Sequence, residues 1–225
     1  MSEPHTPPVP RSELIVRYNK DQRTNHWLVA MCFILAALSG LALFHPALFP
    51  LSILFGGGPW TRILHPFVGL LMFLLFLFLA ASVGSANRME PRDWAWLRQY
   101  RDVVNNREER LPEVGRYNAG QKLVFYSIVL CLSGLILSGI VIWRAYFAAY
   151  FPITVIRLAS ILHAFCAFVL ISTIIVHVYA AIWVKGSVQA MTRGTVTPGW
   201  AWKHHRAWFR EIISHNAASS RSRSD

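Results

Sequence analysis

Nine histidines stand in this 225-residue chain, and four of them sit where an ionisable ring is hardest to place. His26, His65, His163 and His177 lie within, or at the start of, long apolar runs. Imidazole ligates metals and carries protons near neutral pH, and an ionisable group at membrane depth is costly enough to imply a function. For any one of the four, an interhelical hydrogen bond would be a sufficient account. The spacing argues for more. His163 and His177 are 14 positions apart. At about 100° per residue they fall within about 40° of one helix face, about 21 Å apart along the axis. One helix then offers an imidazole near each surface of a bilayer to the same interior. The other five have plainer settings: His5 in an N-terminal tail, His45 beside Pro46 at the end of an apolar run, and His204, His205 and His215 on a basic C-terminal surface.

The elements that must position these rings are apolar. The chain is 54% hydrophobic and 15% charged, with mean hydropathy +0.38 and net charge +11. No Asp or Glu occurs between Asp21 and Glu90 or between Glu113 and Glu211. Disorder and a soluble nucleic-acid binder are both excluded. Four runs, Trp27–Phe44, Pro66–Ser85, Leu123–Trp143 and Ile161–Val184, each approach the roughly 20 residues needed to cross about 30 Å of hydrocarbon. Trp27, Trp60, Trp143 and Trp183 lie near their ends, where indole prefers the interface. The first run has no small-residue cleavage site after it and reads as an uncleaved span. The expected fold is all-α, an integral membrane four-helix bundle.

Lys and Arg orient it. Of 22, the two connections opposite the termini hold only Arg62, Arg144 and Arg157. The positive-inside rule places both termini and the middle connection in the cytoplasm. Two Trp-rich basic stretches, around Asp93–Leu97 and from Gly199 onward, read as cytoplasmic interfacial segments. The organisation expected is a flexible tail over 1–20, a membrane domain over 21–195, and a basic C-terminal segment and tail over 196–225. Cys32, Cys131 and Cys166 lie inside apolar runs and suggest no disulfide framework.

Orientation gives each histidine a depth. Span 2 starts outside and span 4 runs inward, so His65 and His163 share the outer half. Span 1 starts inside, so His26 shares the inner half with His177. Two neutral imidazoles ligating iron from opposite sides make a six-coordinate haem b suited to electron transfer. Two such haems, stacked across the bilayer, make a wire. Gly40, Gly69, Gly134 and Gly139 would admit a macrocycle between helices, or serve ordinary small-residue packing. Arg62, Arg144 and Arg157 stand against the positive-inside rule. At least one is expected to pair with propionates of the outer haem, the alternative being partner contact or solvation.

The residues quoted so far belong to longer segments. These are Ile15–Tyr18, Asn25–Trp27, Arg62–Phe67, Gly115–Lys122 and Gly139–Arg144, then Tyr146–Ala148, Tyr150–Pro152, Leu162–His163 and His177–Ser187. The C-terminal part adds Trp200–Ala201, Lys203–His205 and Trp208–Ile212. In this order, over about residues 14–213, they resemble the cytochrome b (gamma) subunit of membrane-bound respiratory formate dehydrogenases. The resemblance implies two haems b on the four histidines, paired as depth suggests. It also implies a menaquinone or ubiquinone site near the inner haem, at Asn118, Gly120 and Gln121. Amides can donate hydrogen bonds to a quinone carbonyl, although Asn118 and Gln121 are equally placed to cap span 3.

By the same resemblance, a periplasmic molybdenum or tungsten catalytic (alpha) subunit oxidises formate and an iron–sulfur (beta) subunit passes electrons on. This chain carries them across the bacterial inner membrane to quinone as part of a formate:quinone oxidoreductase, with a higher oligomer of the heterotrimer allowed. A cytochrome b subunit of a nickel–iron hydrogenase, or of another periplasm-facing oxidoreductase, is the near alternative. A haem-free transporter using the same histidines is the distant one.

Overall fold

The computed structural model describes residues 14–105, 107 and 110–221. The first thirteen residues, His5 among them, and the last four of the Ser/Arg tail lie outside the described residues. In chain order the elements are β1 (Ile15–Val16), α1 (Lys20–Phe44), α2 (Gly58–Val83), α3 (Pro91–Arg98), α4 (Tyr100–Val104), α5 (Ala119–Ile142), α6 (Ile153–Trp183), α7 (Ser187–Arg193), β2 (Thr195–Val196), α8 (Pro198–His204) and α9 (Arg206–Arg221). Short 3-10 helices lie at Pro46–Phe55, Ser85–Asn87 and Ala148–Tyr150.

Among the described residues four helices, α1, α2, α5 and α6, are long and apolar enough to cross a membrane. Each begins earlier than its apolar run. Hydropathy marks the part that crosses hydrocarbon, whereas backbone hydrogen bonding continues through the polar interface. Thus α6 has 31 residues and is about 46 Å long, against about 30 Å of hydrocarbon. The start of span 2 was expected at Pro66, but α2 begins at Gly58 with Pro59 in its first turn. A proline costs little there, since the first turn has no carbonyl to bond. Pro66 lies inside α2, which places His65 in mid-helix rather than at an end.

By contact the chain divides into two compact units. One comprises Asp21–Ser85 and Leu123–Ala180. Its core joins Cys32 and Ala36 of α1, Met72 and Phe76 of α2, Cys131 and Leu132 of α5, and Cys166 and Leu170 of α6. The three cysteines are free thiols. At Gly134 an added Cβ would lie 2.6 Å from Cys166 Sγ, so α5 and α6 meet there only because no side chain intervenes. Gly69, by contrast, has open space over it. Outward faces remain apolar: Phe78, Leu130 and Phe168 are 73%, 74% and 71% exposed, the surface a lipid-facing bundle presents.

The other unit gathers the described residues up to Lys20, Ala86–Lys122, and those from Ala181. Strand β1 pairs antiparallel with β2, Ile15 opposite Val196. The flexible tail expected over 1–20 is therefore folded from residue 14 on. Arg17 sits at the centre, 2% exposed, with the rings of Tyr18, Tyr117, Trp200 and Trp208 at 4.8–5.8 Å. These aromatic faces attract the guanidinium as a carboxylate would. Arg17 Nη2 donates to the Arg116 carbonyl at 2.7 Å, and Arg116 Nη2 donates back to the Arg17 carbonyl at 2.6 Å.

His205, expected on a basic surface, is instead 2% exposed. Its Nδ1 donates to the Gly115 carbonyl at 2.8 Å, and its Nε2 meets Arg17 Nη2 at 3.1 Å. A cation that needs enclosing recruits the nearest neutral acceptor, and that requirement outweighed the polar pattern of the segment. The Asp93–Leu97 stretch is helix α3. It turns Asp93 inward to a 2.7 Å ion pair with Lys122 and leaves Trp94 exposed.

Candidate bis-imidazole centres

The first unit holds both histidine pairs. His65 on α2 faces His163 on α6, with ring centroids 6.2 Å apart and planes at 71°. His26 on α1 faces His177 on α6 at 6.4 Å and 52°. All four rings are half-buried. The pairs are those that depth alone selects, because 14 residues return α6 to nearly the same face.

The separations distinguish two kinds of contact. Two imidazoles pointing at each other and joined by a hydrogen bond of about 2.9 Å would hold their centroids about 5.1 Å apart. A metal ion between them, about 2.0 Å from each nitrogen, sets about 6.2 Å. The observed distances leave room for the second case and also fall within the range of ordinary ring packing, about 4.5–7 Å. Gly69, one turn beyond His65 on the same face, adds the open space that a flat macrocycle needs. The residues therefore fit a bis-histidine haem at each pair.

Neighbouring side chains hold the outer pair. Ser39 Oγ on α1 lies 2.9 Å from His65 Nδ1, and Ser138 Oγ on α5 lies 3.0 Å from His163 Nδ1. The glycine after each serine lets the ring approach. A Cβ on Gly40 would lie 3.1 Å from His65 Cε1, and one on Gly139 would lie 3.4 Å from His163 Cε1. Neither serine was singled out from the sequence. A signal does exist: Ser-Gly precedes its histidine by 26 residues in the first hairpin and by 25 in the second. At the inner pair, His26 Nδ1 is buried without a hydrogen-bond partner, while the adjacent Asn25 Nδ2 donates to the Leu75 carbonyl at 2.9 Å.

The second unit holds the candidate quinone residues. Asn118 Oδ1 accepts from the Gln121 backbone N–H at 2.9 Å, and Gln121 Oε1 accepts from the Asn118 N–H at 3.0 Å. This reciprocal pair caps α5. It uses only the amide oxygens, so both NH2 groups remain donors without a backbone role. The Trp96 ring lies over Gly120, 3.4 Å from an added Cβ. Arg62, Arg144 and Arg157 are exposed, and neither outer connection contains a carboxylate.

Comparison with known proteins gives a consistent result. The pattern described as prokaryotic cytochrome b561 matches residues 17–194. The cytochrome b556(fdo) subunit of formate dehydrogenase from Escherichia coli K12 is 46% identical over 202 residues, 90% of this chain and 95% of the relative. The cytochrome b556(Fdn) subunit of the nitrate-inducible enzyme from the same organism is 42% identical over 90% of this chain and 93% of its own length. The cytochrome b556 subunit of Haemophilus influenzae formate dehydrogenase is 39% identical over 88% and 84%.

Proposed function

Because the chain belongs to the prokaryotic cytochrome b561 family, we infer that it is the membrane electron-transfer subunit of a formate:quinone oxidoreductase. Two haems b would be held in it, one by His65 and His163, the other by His26 and His177. The observation that carries this reading is the juxtaposition of the four rings as two pairs, with centroids 6.2 and 6.4 Å apart, a separation that admits a metal between them. Haem b between two imidazoles supplies one-electron transfer with no open coordination position.

This chain's own residues do the rest. The four histidines fix the two centres within one bundle. The Asn118 and Gln121 NH2 groups donate to the carbonyls of menaquinone or ubiquinone, beside Gly120. Reduction to quinol takes two electrons from the wire and two protons from the cytoplasm. Arg62, Arg144 and Arg157 are the cations available to haem propionates on the outer side. Electrons come from an iron–sulfur subunit, and formate is oxidised on a molybdenum or tungsten subunit. Both termini face the cytoplasm, as the distribution of Lys and Arg assigns. Moving electrons inward across the field stores about 2.3 kcal/mol per charge per 100 mV.

The test is a reduced-minus-oxidised spectrum of the purified chain with haem quantified. Two low-spin haems b per chain are expected. His65→Ala and His163→Ala should each remove one and the same haem, leaving the one that His26→Ala removes. A folded preparation without haem overturns the reading. Quinone reduction driven by hydrogen rather than formate, in the complex isolated through this chain, overturns the assignment to formate.

A further inference from the structure

The outer histidines are held in a way that sets their tautomer. Each serine hydroxyl has one proton, and each has a backbone acceptor for it. Ser39 Oγ donates to the Leu35 carbonyl at 2.7 Å, with the Ala36 carbonyl at 3.1 Å. Ser138 Oγ donates to the Gly134 carbonyl at 2.6 Å, with the Leu135 carbonyl at 3.3 Å. Back-bonding of this kind is the ordinary habit of a serine inside a helix. With its proton committed, the hydroxyl oxygen can only accept from the ring. His65 and His163 must then carry hydrogen on Nδ1 and present the Nε2 lone pair. Both serines are almost completely buried, at 1% and 2% exposure, so water does not compete. The arrangement occurs twice, on α1 against α2 and on α5 against α6. In each case a glycine follows the serine and gives the ring room.

We propose that Ser39 and Ser138 are positioning residues for the outer haem, fixing the tautomer and plane of its two ligands and lowering its midpoint potential relative to the inner haem. The proposal rests on the bis-histidine reading above. A ring N–H that donates to an acceptor makes its other nitrogen more basic, and a more basic ligand favours oxidised iron. His26 Nδ1 has no such acceptor among the described residues. The outer centre is therefore the weaker electron acceptor, and electrons arriving there run downhill to the inner one. The serines also hold the two ring planes at 71°. Crossed planes leave the iron d orbitals that face the ligands nearly equal in energy, which gives a strongly anisotropic low-spin signal in electron paramagnetic resonance.

The experiment is a redox titration of the haem-loaded chain followed by optical and electron paramagnetic resonance spectra, for wild type, Ser39→Ala, Ser138→Ala and the matching Thr variants. Each Ala variant should raise the outer midpoint potential by up to a tenfold change in the reduced-to-oxidised ratio, 59 mV for one electron. Each should also shift the outer haem's largest g value and leave the inner haem unmoved. The Thr variants, which keep a hydroxyl that bonds the same carbonyls, should stay near wild type. An outer potential and g value unchanged in both Ala variants overturns the proposal, as does an equal shift at both haems. If an Ala variant fails to accumulate, the Cys variant reads the same quantities, since a thiol is a similar size but a poor acceptor. Absence of haem in the wild-type chain would instead sink the bis-histidine reading, and so the two failures are distinguishable.

Discussion

On the proposed function, Asn118 and Gln121 serve structure and substrate at once. Their oxygens close the start of α5, and their NH2 groups are left to donate. The two duties separate by substitution. Asn118→Asp and Gln121→Glu keep an oxygen for the cap and lose the donor. Each should raise the quinone KM about fivefold to tenfold, the worth of one neutral hydrogen bond of about 1 kcal/mol, with thermal stability within error of wild type. Asn118→Ala removes both and should also lower stability by about 1 kcal/mol. Steady-state quinone kinetics beside a thermal melt read the difference. A KM unchanged in Asn118→Asp and Gln121→Glu would leave these residues as helix caps alone.

At the scale of elements, β1, β2, α8 and the start of α9 close around Arg17, and His205 is the neutral acceptor inside that enclosure. Burial first, and then the Arg17 charge, hold the His205 imidazole well below its ordinary range. It is therefore neutral in the folded unit at pH 7, in keeping with its hydrogen bond to Gly115. In the unfolded chain it takes up a proton near pH 6.5. The unfolded state then binds more protons below that point, so stability is full above about pH 6.5 and falls as the pH drops. Protease resistance of the C-terminal segment, assayed from pH 7.5 to 5, should decline in wild type. It should stay flatter in His205→Gln, whose amide supplies one donor and one acceptor without a titrating site. A flat wild-type profile would exclude His205 as the source of acid sensitivity. Burial likewise shifts the Tyr117 phenol well above its ordinary range, and it stays a neutral ring beside the cation.

Across the whole molecule, charge is divided by topology. Nineteen of 22 Lys and Arg lie in the two terminal segments and the middle connection, the distribution from which the proposed orientation follows and one that accounts for the net charge without nucleic acid. The three exceptions, Arg62 near the start of α2, Arg144 just after α5 and Arg157 near the start of α6, are exposed, and no carboxylate stands near them in sequence. On the proposed function, propionates of the outer haem are the anions available to them, the alternative being partner contact or solvation. Replacing each with Gln should lower the outer midpoint potential in at least one variant, because a nearby cation favours the reduced state. Unchanged potentials in all three would assign them to a partner subunit or to solvent.

The number of spans and the approach of the His65 ring to His163 and of the His26 ring to His177 were legible from residue types and order. Hydrophobic length, the placement of Lys and Arg and the 3.6-residue helical period act locally or statistically along a chain, and they survive in one dimension. The helix starts were less legible, because Pro66 resembles an end and Arg157 and Ser160 break the apolar run without breaking α6. What only the tertiary structure decided lies across long sequence separations: Ser39 on His65, Ser138 on His163, Arg17 on His205, and Lys122 on Asp93. A serine in an apolar helix or a histidine in a basic stretch has the same composition whether it faces lipid, water or a buried ring. Only the packing of one helix against another determines which group its single hydrogen bond will meet.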